Sequence, residues 1–241
     1  MDRGLSGSGP WIREAYTLTG ADFSLWLRLT VFYVIFAALV SQLPLAGDVL
    51  LIVLTPAIIA GAFRESAQPS AKTPTLRLRN VCFGALRDPA LRLPVLSVAT
   101  ILLGAWVFVT VLAMVFGIDS YALGPLFAHR TLAANLFAGL LLILFWALEI
   151  GLIMTTLYVL AAIVLSALQP MEALERTLAL WRDHPFVLAG PGGLMVLPLI
   201  LSFYFPSWVR AVVALVTLAP LVLAVFASYT RLWPASPLQP S

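Results

Sequence analysis

Between Leu136 and Leu168 the sequence reads LFAGLLLILFWALEIGLIMTTLYVLAAIVLSAL, with a single charged side chain, Glu149. A helix this apolar on every face is either deeply buried or crosses a membrane. About 20 apolar residues rising 1.5 Å each cross a hydrocarbon core of roughly 30 Å, so this run is longer than one crossing needs. Comparable runs occupy Leu25–Leu43, Val49–Phe63 (short, interrupted by Pro56), Leu93–Phe116, Phe186–Phe205 and Val209–Tyr229. Six spans are therefore expected. Hydrophobic residues make up 61% of the 241-residue chain and charged residues 10%, against roughly 25% charged in soluble domains. No hydrophilic block is long enough for a separate soluble domain. The predicted fold is an all-α polytopic membrane protein: residues 1–233 form one integral domain and 234–241 a Pro-rich flexible tail. The opening MDRGLSGSGPWIREAY mixes charges with glycines and reads as no cleavable signal peptide.

Orientation follows from the basic residues, because cytoplasmic loops carry the excess of Lys and Arg. With both termini inside, Arg3, Arg13, Arg28, Arg64, Lys72, Arg77, Arg79, Arg87, Arg92, Arg176, Arg182 and Arg231 fall on the cytoplasmic side, leaving only Arg130 and Arg210 outside. That asymmetry favours an even number of crossings.

Three stretches align without gaps: AYTLTGADFSLWL (15–27), VCFGALRDPALRL (81–93) and RTLALWRDHPFVL (176–188). Asp22, Asp88 and Asp183 coincide, each just before an outward-going span, and Pro10, Pro74 and Pro170 precede them by 12 to 14 residues. Proline suits a helix's first turn, where its missing N–H would have been unpaired. Between proline and aspartate the apolar residues recur at helical spacing, as in Leu78, Val81, Cys82, Ala85 and Leu86. These stretches predict amphipathic helices lying in the cytoplasmic interface, apolar side toward lipid. Each aspartate then forms a corner and caps the next helix. Repeat units of about 10–63, 74–168 and 170–231 follow, each an interfacial helix and a transmembrane hairpin. The adjacent Asp183–His184 pair is thereby a corner element rather than a catalytic pair, since Asp22 and Asp88 have no neighbouring histidine.

Intramembrane ionisable residues are functional candidates by default, which singles out Glu149, with Thr155 and Tyr158 on the same helix. Gly190, Pro191, Gly192 and Gly193 break the fifth span, and broken helices build binding sites in transporters. Arg77, Arg79, Arg87 and Arg92 are positioned to meet lipid headgroups, including anionic ones, at about 1 kcal/mol per charge. Ala57/Gly61, Ala162/Ser166 and Ala224/Ser228 have the small-residue spacing that permits close helix packing. One cysteine, Cys82, and two histidines, His129 and His184, are too few for a usual zinc or haem site. No cofactor and no nucleic-acid partner is expected, and no catalytic motif is present.

The segments WIREAYTL, LPLAGDVLLIVLTPAIIAGAF, LRLRNVCFGALRD, LSALQPMEALERTLALWRDHP and the ending ASYTRLWP resemble a family of uncharacterised proteobacterial six-span inner-membrane proteins. More distantly they resemble the membrane domain attached to some glycerophosphodiester phosphodiesterases, whose chemistry resides in a soluble domain not represented here. The resemblance implies an inner-membrane location and no transferable activity. The leading expectation is a non-enzymatic accessory protein that packs against another membrane complex or organises lipid, given few intramembrane polar groups and short termini. The alternative is a carrier or channel for a small solute or lipid, using Glu149 and the broken fifth helix.

Overall fold

The computed structural model describes residues 9–40, 42–43, 46–67, 74–116, 132–185, 192–201 and 205–233. All regular structure among them is helical. In order, the helices are α1 (Gly9–Ala21), α2 (Phe23–Val40), α3 (Ala46–Ala67), α4 (Pro74–Arg87), α5 (Pro89–Phe116), α6 (Leu132–Ser166) and α7 (Pro170–Asp183). A π-helical turn, Gly192–Val196, then runs into α8 (Leu197–Leu201), and α9 (Ser207–Leu232) ends the described chain.

Among the described residues, four stretches are long and apolar enough to cross a membrane: Phe23–Val40, Val49–Ala67, Ile143–Ser166 and Val209–Leu232. A fifth is reached if α4 and α5, bent 81° apart at Asp88, count as one broken span. Side chains such as Ile35, Leu39, Ile101, Phe108, Leu140, Leu144 and Val216 point outward, exposed and apolar. The molecule is a membrane-embedded helical protein. The expected third span lies within α5. Of the expected fifth, only Gly192–Leu201 falls within the described residues; Gly190 and Pro191 lie outside them. The long fourth run is one unbroken 35-residue helix, α6.

Local chemistry sets the helix boundaries. Pro74 and Pro170 open α4 and α7, and Pro10 is the second residue of α1. Glu172 accepts the Gln169 backbone N–H at the start of α7. Asp88 caps α5: its Oδ1 accepts the Ala90 N–H at 2.9 Å, and its carbonyl accepts those of Leu91 and Arg92. Asp22 starts α2 through its carbonyl, which accepts from Leu25 and Trp26. Its carboxylate turns to Arg77 instead. Asp183 ends α7, with its carboxylate on the Arg182 Nε–H at 3.0 Å.

Helices α3, α6 and α9 pack against one another at the centre. Tyr158 of α6 bonds Ser228 of α9 at 2.5 Å, and Ser166 bonds Tyr229 at 2.7 Å. Ala57, Ala162, Ala224 and Ser228 are buried, so small side chains allow the backbones of this triad to approach. In the first two expected hairpins the two helices are not each other's main packing partners. Helix α2 contacts α9 more extensively than α3, and α5 contacts α3 more extensively than α6. The amphipathic helices follow the same offset: α4 lies on α3, α7 on α6, and α1 on α9.

This offset corrects the expectation that the three amphipathic faces turn to lipid. Trp11, Ala15, Val81, Ala85, Ala173 and Leu180 are all buried against protein. An apolar stripe has the same periodicity whichever apolar surface it meets, and here a neighbouring helix supplies that surface. Gly61 marks a close crossing of α3 and α4, since a Cβ there would come within 2.0 Å of the Val81 carbonyl oxygen.

Candidate functional site

Where α3, α6 and α9 end, the amphipathic helices bring charged residues together. Arg77 on α4 donates two hydrogen bonds to Asp22, at 3.1 and 3.0 Å, and a third to Glu65 at 2.6 Å. Glu65 is 3% exposed and the Arg77 side chain 14%. Arg64 pairs with Asp88 at 2.7 Å, and Arg231 with Glu14 at 2.5 Å. Arg77 is therefore held by two carboxylates rather than directed at headgroups. Arg79, Arg87 and Arg92 are exposed, with the Arg87 guanidinium over the Phe83 ring. A cleft of about 510 Å³ beside this network is lined by Arg64, Glu65, Arg87 and Asp88 among others, and two of those four, Arg64 and Asp88, neutralise each other.

Asp183 and Arg182 are exposed, and the Arg182 hydrogen bond, foremost, holds the Asp183 carboxyl below its ordinary value. The His184 backbone N–H closes the last turn of α7 on the Leu180 carbonyl.

A second cavity of about 510 Å³ opens inside the bundle, walled by α2, α3, α6, α9 and the Gly192–Leu201 segment. Its lining is mainly Leu, Ile and Val, with Trp26, Thr30, Tyr33, Thr55 and Glu149 interspersed. The hydroxyls are already occupied: Thr30 donates to the Trp26 carbonyl at 2.8 Å, and Tyr33 and Thr55 share a bond of 2.9 Å. The Glu149 carboxylate has no hydrogen-bond or ion-pair partner among the described residues. It lies 17 residues before Ser166, within the Ile143–Ser166 stretch, about 25 Å of helix rise from that end.

The three polar residues singled out on α6 thus separate. Glu149 lines the cavity, whereas Thr155 accepts the Trp181 indole N–H at 3.0 Å and fixes α7 to α6. Tyr158 is buried in the α6–α9 contact. Of the glycine-rich break, Gly192 and Gly193 begin the π-helical turn. A Cβ at Gly192 would meet Ile150 Cγ2 at 2.9 Å and Met154 Cγ at 3.0 Å. That glycine lets the turn settle against α6 beside Glu149, and Val196 and Leu199 of the same segment wall the cavity.

Sequence reasoning missed Trp26, Tyr33 and Thr55 as lining residues, and Arg64 and Glu65 as ion-pair partners. A signal existed for two of them: Tyr33 and Thr55 are hydroxyl-bearing positions in apolar spans at similar distances from the turn near Leu43. No family model, curated protein or solved structure matches the chain.

Proposed function

We propose that this protein is a non-enzymatic, membrane-embedded carrier or binding protein that holds a small, largely apolar solute in the cavity around Glu149. The observation that carries this reading is the pairing of an apolar chamber of about 510 Å³ with a carboxylate left without a partner among the described residues. Ligand pockets of about 300–1,000 Å³ with few polar groups are the ordinary form of small-molecule sites. Ionisable groups within membrane-spanning stretches mark substrate pathways and relays, and Glu149 falls within Ile143–Ser166. The π-helical turn beginning at Gly192 fits this role, because it settles against α6 and brings Val196, with Leu199 just beyond it, to the chamber wall.

The topology proposed with it has six crossings in three units of the bacterial inner membrane, with α1, α4, α7 and both termini on the cytoplasmic side. The clustering of arginines near those helices supports it, as does the resemblance to six-span inner-membrane proteins. The cyclic pattern, in which each amphipathic helix clasps the last span of another unit, supports the threefold repeat.

Native mass spectrometry of protein released from its own membranes tests the function. A discrete small-molecule adduct near one per chain is expected, diminished by an Ala219→Phe substitution that fills the chamber. Ala219 lines the cavity without touching the ion-pair network. An empty chain recovered in fixed ratio with another membrane complex would overturn the carrier reading and establish the accessory role instead.

A further inference from the structure

We infer that the ligand of this cavity is a monovalent organic cation with an apolar body, its charge set against Glu149 and its body against Trp26 and Tyr33. This rests on the binding reading above and deepens it by assigning the ligand's charge.

An ionised carboxylate removed from water is costly unless a positive group accompanies it. The protein supplies such a group for its buried acid, Glu65, through Arg77 at 2.6 Å, whereas Glu149 is half-buried in the cavity wall. Among the described residues it supplies none for Glu149: no Lys, Arg or His of theirs lines the cavity. The complementary charge is left to the occupant.

Two features decide what kind of cation. A hard metal ion such as Ca²⁺ takes 6–8 oxygen ligands. Here the wall offers one carboxylate and hydroxyls already bonded to each other or to backbone. No group of three His, Cys, Asp or Glu side chains suited to a metal exists among the described residues. A chamber of this size and apolarity instead fits an organic body, and aromatic rings attract cations that cannot be fully hydrated. Trp26 and Tyr33 both line it.

The test uses the full chain in lipid nanodiscs, with empty nanodiscs as the blank for partitioning. Equilibrium binding is measured for radiolabelled tetraphenylphosphonium and for triphenylphosphine oxide, a neutral molecule of similar shape. Saturable binding of the cation near one per chain is expected, weakened at least tenfold by Glu149→Gln, with the neutral probe unaffected by the substitution. If the neutral probe binds saturably while the cation does not, or if Glu149→Gln leaves cation affinity unchanged, the charge assignment fails and the cavity reading stands. If neither probe binds saturably, both fail. Should Glu149→Gln not accumulate as folded protein, the wild-type preference decides: equal affinity for the two probes sinks the inference.

Discussion

Glu65 and Glu149 are the same residue type on two central helices, α3 and α6, and the protein treats them in opposite ways. Glu65, 3% exposed, meets the Arg77 guanidinium, which in turn holds Asp22. Around it Arg64 pairs with Asp88, and Glu14 with Arg231. Glu149 lines an apolar chamber and has no such partner among the described residues. At the ends of α3 and α9 the fold neutralises acidic groups with arginines drawn from other helices. Glu149 stands outside that scheme and has no polar partner among the described residues, so its presence is better explained by what the chamber holds.

The neutralisation of Glu65 is lost most directly at Arg77. Replacing it by Ala removes the guanidinium between Asp22 and Glu65, and losing one partner of a buried pair costs about 3–5 kcal/mol. Loss of most folded protein is expected, or a large fall in the detergent melting temperature. A double variant, Arg77→Met with Glu65→Leu, should recover much of that loss, because it removes the stranded charge as well. A melting temperature unchanged in Arg77→Ala would show that the network is ornamental, and the contrast with Glu149 would lose its basis.

Next in size is the crossing that sets Arg77 in reach of Glu65. Gly61→Ala places a methyl group against the Val81 carbonyl, at 2.0 Å if nothing moves, and forcing helices apart at a packed contact costs about 1–3 kcal/mol. Gly84→Ala on α4 is the control: a Cβ there meets nothing within 4 Å. Alanine's better helix propensity should raise stability by up to about 1 kcal/mol. Thermal unfolding of the two variants should therefore move in opposite directions. Equal shifts would mean that α4 does not lie as closely on α3 as the structure has it.

Smaller again is Tyr158→Phe, which removes the bond to Ser228 between α6 and α9. Hydrogen bonds between membrane helices average about 0.6 kcal/mol. A modest drop in melting temperature is expected, with no change in binding of either phosphorus probe. Weakened probe binding would instead move the functional site from the Glu149 level toward Tyr158.

These positions show how far the sequence could be read. Helix boundaries were legible where one residue's chemistry decides them: Pro74 and Pro170 open helices, and Asp88 caps one with its own side chain. Partnership was not. Arg77 and Asp22 are 55 residues apart, and nothing in local spacing distinguishes an arginine facing headgroups from one clasped by carboxylates. Apolar periodicity likewise exposed the faces of α1, α4 and α7 without saying that α9, α3 and α6 would cover them. Glu149 stood out because a lone charge in an apolar run is visible in one dimension. The chamber around it is assembled from five separate segments, so Thr155 and Tyr158, its neighbours along α6, were natural but misplaced companions.

The smallest expected effect is the sharpest discriminator. Glu149→Gln keeps the shape of the side chain and removes only its capacity for charge. If Glu149 is structural, the substitution disturbs a network and lowers stability, as Glu65→Gln should by weakening its bond to Arg77. With no partner among the described residues to lose, Glu149→Gln should leave the melting temperature of ligand-free protein within the equivalent of about 0.5 kcal/mol, the range for substitutions away from packing and paired charge. A slight rise is the natural direction, because a neutral amide is cheaper to keep in an apolar wall than a carboxylate. The two glutamates are then separated by a crossed result: Glu65→Gln destabilises and leaves cation binding intact, whereas Glu149→Gln leaves stability intact and removes cation binding. A loss of stability at Glu149 as large as that at Glu65 would place it in the scaffold, and the chamber would have to find its ligand by shape alone.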